Sequence, residues 1–315
     1  MTRHPTRRRF LTIAAAASGV AAIGASPAKA AHHIWRGSAL GAEAQLLFAG
    51  SDKRTADAAI RLCLNEIERL EAIFSLYLGD SELVRLNRDG HIDQASQDLL
   101  SLVRLGRYFG DVTDGAFDMT VQPLWRYVAD HFSQDTGRTA PPTGQLKSIL
   151  EKVDYRRVAI TGHKIVLPLG AAITLNGIAQ GYITDRVAEL LRQSGWRDVL
   201  INLGEIRTLP GRAWPVRIAG TNQELDLSDG AMATSVGSGT LLNARGDWHH
   251  LFDPRTGHSA QHVKAVTVVA RHAVTADAFS TALAVTPIKN ARIIAARNRR
   301  ISVHIQTQDG QMLRL

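Results

Sequence analysis

The sequence predicts a protein that contains both helices and β-strands within one chain of 315 residues. Residues 54–77 repeat apolar side chains at the spacing of one face of an amphipathic helix. Residues 263–269 form an apolar, β-branched run with the length of a buried strand. Because 45% of the residues are apolar, the chain can form one large domain or two smaller ones with a substantial core.

Residues 1–30 have the pattern of a bacterial export signal. Arginines at positions 7–9 precede Phe10 and Leu11, an apolar stretch runs from 11 to 23, and Ala28-Lys29-Ala30 is a small-x-small cleavage site. The apolar stretch is too short to span a membrane, for which about twenty apolar residues are needed. We therefore expect twin-arginine (Tat) export to the periplasm, no remaining membrane span, and one mature domain over 31–315. The alternative is a fortuitous basic start before an Ala-rich helix.

The formal charge of +8 depends on that signal. Five basic residues and no acidic residue lie in 1–30, so the mature chain carries only +3, and its charge does not demand nucleic acid as a partner. Proteins exported by the twin-arginine route are folded first, often around a cofactor, so we expect a cofactor-dependent or cofactor-handling protein. Cys63 is the only cysteine, which excludes an intramolecular disulfide, and its helical context predicts a buried apolar side chain.

The remaining elements follow from the same kinds of pattern. In chain order they are strand-like stretches in 34–49, a short helix within 78–87, helices over 96–109 and 143–153, short strands near 158–160 and 164–167, strands over 198–203 and 214–219, and a closing hairpin over 301–315. Residues 130–144 are polar and proline-rich, which predicts a surface loop or a boundary between subdomains.

The stretch 275–283 is predicted to begin a helix after the strand 263–269. Thr275 is a candidate N-cap, and Asp277 and Thr281 share one helix face because they are four residues apart. One carboxylate and one hydroxyl on the same face suit Mg²⁺, which prefers oxygen ligands and completes its shell with water and phosphate. The alternative is an ordinary capped helix with a threonine on its polar side.

A glycine turn in residues 172–185 is a second candidate for ligand contacts. The pattern predicts a strand, a turn and then a helix over 186–194, and Gly177 and Gly181 let the backbone approach an anion at the helix start. The segment matches neither a Walker loop nor a dinucleotide fingerprint, so the glycines alone are weak evidence for phosphate.

Two further loops carry polar side chains. The loop 111–120 contains three aspartates and a phenylalanine, and it is either a ligand-contact loop or a solvated turn. His249 and His250 are adjacent, so on a strand they point to opposite faces and are not a chelating pair. The sequence contains no spaced cysteine or histidine cluster typical of a zinc site.

Seven short motifs occur in order between residues 35 and 315. They are Phe74-Ser75-Leu76-Tyr77 with Ser81-Glu82-Leu83 and Leu86-Asn87, Gly115-Ala116-Phe117-Asp118 with Thr120, residues 176–185, Asn202-Leu203-Gly204, Ala233-Thr234-Ser235, His250 with Asp253-Pro254-Arg255-Thr256-Gly257, and Ala276-Asp277 with Thr281-Ala282-Leu283. Each motif is weak alone, but the ordered set resembles the ApbE family of FAD:protein FMN transferases. The twin-arginine signal is similar to that of the NosX-like branch.

The resemblance implies an α+β fold, the ApbE-like fold, with mixed or antiparallel sheets and packed helices. It implies an enzyme that uses Mg²⁺ and FAD, transfers the FMN moiety to a Thr or Ser hydroxyl of a periplasm-facing flavoprotein, and releases AMP. For a NosX-like member, the implied acceptor is a membrane-anchored NosR-like electron-transfer protein of nitrous-oxide respiration.

The resemblance also implies roles for individual residues. It assigns Mg²⁺ binding to the carbonyl of Gly177 and to the side chains of Asp277 and Thr281. It assigns catalysis to Asp253 and to His250, the candidate acceptor of the hydroxyl proton, although one histidine of an adjacent pair could equally have a structural role. It assigns FAD contacts to Leu40, Tyr77, Ala116, Phe117, Asp118, Thr174, Gln180 and Leu251.

Three departures from the family pattern keep other functions open. Thr174 stands where the family usually has aspartate, Gln180 stands where lysine or glutamate is common, and the turn at 204–206 is one residue shorter than the usual Gly-Gly-Asp-Ile. The alternatives are a non-catalytic flavin-binding accessory or carrier protein, and a hydrolase that splits the FAD pyrophosphate into FMN and AMP.

Overall fold

The computed structural model describes residues 32–39, 41–133 and 139–315. The predicted export signal, the predicted FAD contact Leu40 and part of the loop 130–144 therefore lie outside the described residues. The described strands are β1 His32–Ala39, β2 Ala42–Ala49, β3 His91–Ile92, β4 Ala159–Thr161, β5 Lys164–Val166, β6 Val199–Asn202, β7 Ile206–Thr208, β8 Trp214–Arg217, β9 Glu224–Leu227, β10 Ala231–Val236, β11 Val263–Ala270, β12 Ser302–Thr307 and β13 Met312–Arg314. The described α-helices are α1 Lys53–Phe74, α2 Glu82–Asp89, α3 Gln97–Val112, α4 Gln122–Ser133, α5 Thr143–Leu150, α6 Ala179–Gln193, α7 Ala273–Ala284 and α8 Ile288–Arg297.

Eight strands form one sheet in the order β1-β2-β6-β7-β10-β11-β12-β13, and every neighbouring pair in it is antiparallel. A three-stranded sheet, β3-β5-β4, and the hairpin β8-β9 are separate from it. The predicted α+β class with antiparallel sheets and packed helices is confirmed. The early strand pair β1-β2 and the closing hairpin β12-β13 also lie where the sequence predicts them.

Alternate side chains of the main sheet enter two different cores. In β2, Leu46 and Phe48 belong to the larger core, which the helices cover, while Leu47 between them belongs to a smaller core on the opposite face. Trp214 and Val216 of the β8-β9 hairpin cover that smaller core. Both faces of the sheet are therefore shielded from water in this region.

Helix α1 packs on the larger core through one apolar face. Asp52 caps it, because the Asp52 carboxylate accepts a hydrogen bond from the Thr55 N–H at 3.0 Å. Cys63 is fully buried, as predicted, and burial raises the pKa of its thiol to about 12, which keeps the thiol protonated at neutral pH. Among the described helices, α1 included, none is long and apolar enough to cross a membrane.

The glycine-turn segment differs from the predicted strand-turn-helix. Within the described chain, residues 172–178 form no strand, and the Asn87 side chain instead donates to the Ile173 carbonyl (2.8 Å) and accepts from the Ile173 N–H (2.7 Å). The strand prediction is wrong because these apolar residues are buried while their backbone bonds go to a side chain and a loop rather than to a neighbouring strand. Helix α6 also begins at Ala179, before the predicted start, so Gly181 lies inside the helix.

The predicted N-cap of helix α7 is also wrong. The helix begins at Ala273, and Thr275 lies inside its first turn. The residue at the cap position, His272, makes no side-chain cap bond. Asp185 of α6 supplies the cap from another helix, since its two carboxylate oxygens accept from the N–H groups of Ala273 and Val274 at 2.9 Å each. Local sequence could not indicate a cap that comes from a different helix.

A carboxylate of helix α7 also binds the first turn of α6, at a point where the two helix backbones lie very close together. The Asp277 Oδ2 atom accepts from the Gly181 N–H at 3.0 Å. A Cβ atom at Gly181 would lie 2.5 Å from the Ala273 carbonyl oxygen and 2.7 Å from the Val274 Cα. Glycine is therefore required at position 181 by the packing of two backbones and not by an unusual dihedral angle.

We predict that Gly181→Ala lowers the free energy of unfolding by about 2 kcal/mol or more, because the new methyl group meets backbone atoms that cannot move aside. Gly144→Ala is the matched control, since Gly144 lies in helix α5 with nothing within 4 Å of its Cβ position, and its stability should stay within about 1 kcal/mol of wild type. Urea denaturation of both variants measures the difference. Equal stabilities would contradict the close helix contact.

Candidate active site

The fold brings the three predicted metal ligands together. A Cβ atom at Gly177 would lie 3.1 Å from the Thr281 Cγ2 and 3.2 Å from the Thr281 Oγ1, so the turn before α6 touches the half-buried Thr281 of α7. Asp277 lies one helical turn before Thr281 on α7 and faces α6 through its bond to Gly181. A backbone turn, a carboxylate and a hydroxyl thus meet where the two helices pack.

A second acidic residue, Glu205, lies beside Asp277. Both residues are buried, with exposed fractions of 5% for Glu205 and 4% for Asp277. Burial, together with the charge of Asp277, raises the pKa of Glu205 well above its usual range. Burial and the nearby Asp185 carboxylate raise the pKa of Asp277 to about 7, against the hydrogen bond from Gly181, which lowers it.

Neither acid of the pair Glu205 and Asp277 forms an ion pair with a basic residue in the described part of the chain. Asp185, in contrast, pairs with Arg207. The Arg207 Nε atom lies 3.5 Å from Asp185 Oδ1, and no described lysine, arginine or histidine forms an ion pair with either Glu205 or Asp277. Two buried carboxyl groups without a counter-charge retain protons or bind a cation. These residues therefore fit a divalent cation held by oxygen atoms.

The described residues contain no group of three histidine, cysteine, aspartate or glutamate side chains that could hold an ion. The predicted ligand set does not need such a group, because a main-chain carbonyl and a hydroxyl supply two of its oxygen atoms, and Mg²⁺ takes its remaining ligands from water and phosphate. Glu205 is the residue that sequence reasoning missed. The sequence signal for it is an acid in the short turn between two apolar strands, three residues after the end of β6 and directly before β7.

Aromatic side chains predicted to contact FAD lie around the same turn. A Cβ atom at Gly177 would lie 3.3 Å from the Phe117 Cε2, and the Phe117 ring packs near Phe109, with 6.2 Å between ring centroids. The Tyr77 hydroxyl bonds to the side chain of Asn176, while burial raises the pKa of Tyr77. Phe117 and Tyr77 therefore approach the Asn176-Gly177 turn from separate parts of the chain.

Two other predicted FAD contacts have their polar atoms bound within the protein. The Asp118 Oδ1 atom accepts from the N–H (2.7 Å) and the hydroxyl (2.6 Å) of Thr120, and its Oδ2 atom accepts from the Tyr155 N–H at 3.1 Å. Burial raises the pKa of Asp118. The Thr174 hydroxyl accepts from the Asn176 N–H at 3.3 Å. Asp118 and Thr174 thus hold the loops that carry Phe117 and Gly177.

Gln180 is buried and its amide nitrogen is left without a partner. The Nε2 atom is shielded from solvent and bonds to no group of the described protein, although the residue lies in the first turn of α6, next to Gly181. Buried donors are rarely left unsatisfied in a folded protein unless a ligand or water meets them. This orphaned donor fits a bound ligand with an acceptor group.

The structure separates the roles of the two adjacent histidines. Both nitrogens of His249 are engaged, since Nε2 lies 2.6 Å from the Ala260 carbonyl oxygen and Nδ1 accepts from the Leu251 N–H at 3.3 Å. The Nδ1 atom of His250, in contrast, is shielded from solvent and has no hydrogen-bond partner in the described residues. Burial, with a contribution from His249, lowers the pKa of His250 to about 4. His250 is therefore a neutral imidazole at pH 7 with an unoccupied nitrogen.

The turn that follows His250 is held by an internal ion pair. The Asp253 carboxylate accepts from the Arg255 side chain at 2.8 and 3.0 Å and from the Arg255 N–H at 2.9 Å. Asp253 therefore organises this turn, and its predicted catalytic role stays a prediction. Leu251, like Ala116 and Phe117, is buried in the larger core.

Comparisons with known proteins identify the family of this chain. The model of the ApbE family matches residues 40–305. Two curated relatives, both called FAD:protein FMN transferase, are those of Haemophilus influenzae (27% identical, covering 78% of this chain and 77% of the relative) and Escherichia coli K12 (24% identical, covering 88% and 82%).

Solved structures show the same fold. The crystal structure of the ApbE protein of Thermotoga maritima superposes with a TM-score of 0.78 at 25% identity, covering 90% of this chain and 97% of that one. The apo flavinyl transferase ApbE of Pseudomonas stutzeri gives a TM-score of 0.79 at 22% identity, with 92% and 97% covered. Because the family model spans most of its length, the chain described here belongs to the ApbE family.

Proposed function

We propose that this chain is a Mg²⁺-dependent FAD:protein FMN transferase. The observation that carries the proposal is the meeting of Gly177, Asp277 and Thr281 beside the buried acid pair that lacks a basic partner. The curated relatives named for this activity support it. In the proposed reaction, a Thr or Ser hydroxyl of an acceptor flavoprotein takes the FMN moiety of FAD, and AMP is released.

The reaction is a phosphoryl-type transfer, so the protein mainly positions groups and stabilises charge. The acceptor oxygen forms a bond to the phosphorus of the FMN half, the pyrophosphate bond to the AMP half breaks, and the hydroxyl proton goes to a base. His250 suits that base because it is neutral at pH 7 and its Nδ1 atom is unoccupied. Asp277, Thr281 and the Gly177 carbonyl would hold Mg²⁺, which supplies charge stabilisation at the phosphates when bound.

The location and the acceptor are parts of the same proposal. The twin-arginine pattern in residues 1–30 supports export, and the acceptor would then be a flavoprotein that faces the periplasm. The similarity of this signal to that of NosX-like members favours a membrane-anchored NosR-like electron-transfer protein of nitrous-oxide respiration as that acceptor. Mass spectrometry of a periplasmic extract, searched for a signal-cleaved form of the chain, tests the export step.

Gln180, whose amide nitrogen has no partner in the described residues, and Thr174 differ from the usual family residues and favour a flavin carrier as a second candidate function. An FAD pyrophosphate hydrolase is a third. A chain that binds FAD without turnover would act as a flavin carrier, and a chain that uses water in place of the acceptor would be an FAD pyrophosphate hydrolase. Release of AMP separates these alternatives, because the carrier releases none and the hydrolase releases AMP without any acceptor protein.

We predict that incubation of the mature chain with FAD, Mg²⁺ and a flavoprotein domain with an exposed acceptor threonine adds the mass of one FMN to that domain. One AMP should appear for each FMN transferred, because the same bond cleavage produces both. Intact-mass spectrometry and nucleotide chromatography measure the two products. A Thr→Val acceptor is the control, and AMP release that persists with this acceptor would identify the hydrolase instead.

We predict that Asp277→Asn lowers turnover at saturating FAD by ~100-fold or more, because removal of the charged ligand removes the charge stabilisation that the cation supplies. The amide oxygen can still accept from Gly181, so the folded structure should persist. Thermal unfolding with and without Mg²⁺ gives a second readout, in which wild type should gain stability from the ion and Asp277→Asn should not.

Ser280→Ala is the matched control for that variant. Ser280 lies between Asp277 and Thr281 on the same helix, and its hydroxyl bonds to the Ser235 hydroxyl at 2.8 Å and donates to the main-chain carbonyl of Asp277 at 3.0 Å. Ser280→Ala removes these bonds and leaves the side chains of Asp277 and Thr281 in place. This variant should lose some stability and keep its response to Mg²⁺. A Mg²⁺ response that survives in Asp277→Asn would remove Asp277 from the site.

We predict that His250→Gln lowers turnover by about 100-fold and leaves FAD binding unchanged. A base must be deprotonated, and burial lowers the pKa of His250 to about 4, so the part of the rate that depends on His250 should fall only as pH drops well below 6. His249→Gln is the control and should reduce stability instead, because it breaks two loop bonds. A rate that falls with a midpoint near 6.5 would contradict a buried base.

The same lowered pKa has a consequence for stability. The unfolded chain binds a proton on His250 near pH 6.5, whereas the folded chain does not until about pH 4. The contribution of His250 to stability is therefore present above pH 6.5 and is lost as pH falls towards 4. His250→Gln should show a shallower loss of stability across this window, measured by urea denaturation at several pH values.

A further inference from the structure

We propose that Asp185 is a positioning residue for the cation site and acts through the amino end of helix α7. The inference rests on the proposed function, because it concerns how Asp277 and Thr281 come to face a cation. Asp185 itself binds backbone groups of α7 and lies outside the reacting atoms. Nothing in its own stretch of sequence indicates this role, because the helix it caps begins 88 residues later along the chain.

The contact of Asp185 with α7 is made at two points. One carboxylate oxygen accepts from the Ala273 N–H and the other accepts from the Val274 N–H, both at 2.9 Å. Two bonds to two atoms of one rigid group restrict both the rotation of the helix about its axis and its movement along that axis. Asp277 lies about one helical turn after these two N–H groups. The orientation of the Asp277 side chain therefore depends on how Asp185 holds the first turn of α7.

Asp185 is itself fixed from the main sheet. The buried Arg207 of β7 places its Nε atom 3.5 Å from Asp185 Oδ1, and its other nitrogens donate to the Thr208 carbonyl at 3.0 Å and to Asp229 Oδ1 at 3.2 Å. Glu205 directly precedes β7. Strand β7 therefore carries the Arg207 guanidinium that pairs with Asp185, and the residue just before the strand, Glu205, is the acid beside Asp277.

The return bond from α7 to α6 explains why a separate positioning group is useful. Asp277 contributes its Oδ2 atom to the Gly181 N–H. If Asp277 were the only link between these helix ends, the group that faces the cation would also have to align the helix. Asp185 supplies two of the three carboxylate bonds between α6 and α7, so the alignment does not rest on Asp277 alone.

A direct binding measurement tests this role. The mature protein is titrated with Mn²⁺, used as the probe for Mg²⁺, and the electron paramagnetic resonance signal of the free ion reports binding in the presence of saturating FAD without acceptor. The same proteins are titrated with FAD in EDTA, followed by flavin fluorescence. The variants are Asp185→Asn, which replaces one accepting oxygen by an amide group, and Asp185→Glu, which keeps the charge opposite Arg207 and displaces the carboxylate.

Two matched controls separate positioning from stability. Asp52→Ala removes a carboxylate cap on α1, where Asp52 accepts from the N–H and the hydroxyl of Thr55. Asp229→Asn removes the other acid that pairs with Arg207 without touching α7. Thermal unfolding in EDTA places all four variants on one scale, so a general loss of stability can be compared with any loss of ion binding.

We expect Asp185→Asn to weaken Mn²⁺ binding by roughly tenfold and to leave FAD affinity in EDTA within about twofold of wild type. Asp52→Ala should lower the melting temperature by a comparable amount and keep the wild-type Mn²⁺ affinity. Asp229→Asn should also keep the wild-type Mn²⁺ affinity. If Asp185→Asn does not fold, Asp185→Glu carries the test, with a weakened Mn²⁺ affinity expected. Wild-type Mn²⁺ affinity in a folded Asp185 variant overturns this proposal alone, whereas a wild-type protein that binds no Mn²⁺ overturns the proposed metal dependence and this proposal with it.

Discussion

Helices α6 and α7 approach so closely at Gly181 that any side chain there would overlap the backbone of α7, and each helix places a carboxylate on the amino end of the other. The arrangement satisfies N–H groups that would otherwise remain unpaired in a buried helix start, and it complements the positive ends of both helix dipoles. Because neither helix has a side-chain cap from its own N-cap residue, the two helix starts depend on each other. The turn at Gly177 and the ligand face of α7 are consequently fixed by the same contact.

The two exchanged carboxylates have different electrostatic surroundings, and the difference explains where a cation belongs. Asp185 faces Arg207, which neutralises it within the fold. Asp277 faces Glu205, a second acid. Helix packing alone does not require a second acid beside Asp277, because a carboxylate with a basic partner, or a neutral acceptor, could make the same hydrogen bond to Gly181. The unbalanced pair lies where the predicted ligands Gly177 and Thr281 also meet, so charge and geometry indicate the same place.

The spacing of residues within one helix, together with the family resemblance, predicts this place from the sequence, whereas the features that depend on tertiary contact cannot be predicted from it. The spacing of Asp277 and Thr281 is a property of one helix, so it could be read directly, and the buried strand 263–269 is apolar enough to be recognised alone. The cap of α7 by Asp185 could not be predicted, because it joins residues far apart in sequence. Glu205 appeared as an irregular turn, since its proximity to Asp277 exists only after β7 has joined the sheet. The segment before Gly177 resembles a strand in composition, but its backbone bonds to Asn87 instead.

The unsatisfied polar atoms of the described chain support the same assignment of roles. A folded protein loses free energy for each buried polar atom that lacks a partner, and such atoms are rare. Only five side-chain atoms of the described residues are shielded and unpaired, and two of them belong to Gln180 and His250, both of which the family resemblance assigns to the site. The neighbouring His249 has the same side chain on the same loop, and both of its nitrogens are bonded. The loop could therefore satisfy a histidine with its own backbone groups, and at His250 it leaves the Nδ1 atom without such a partner.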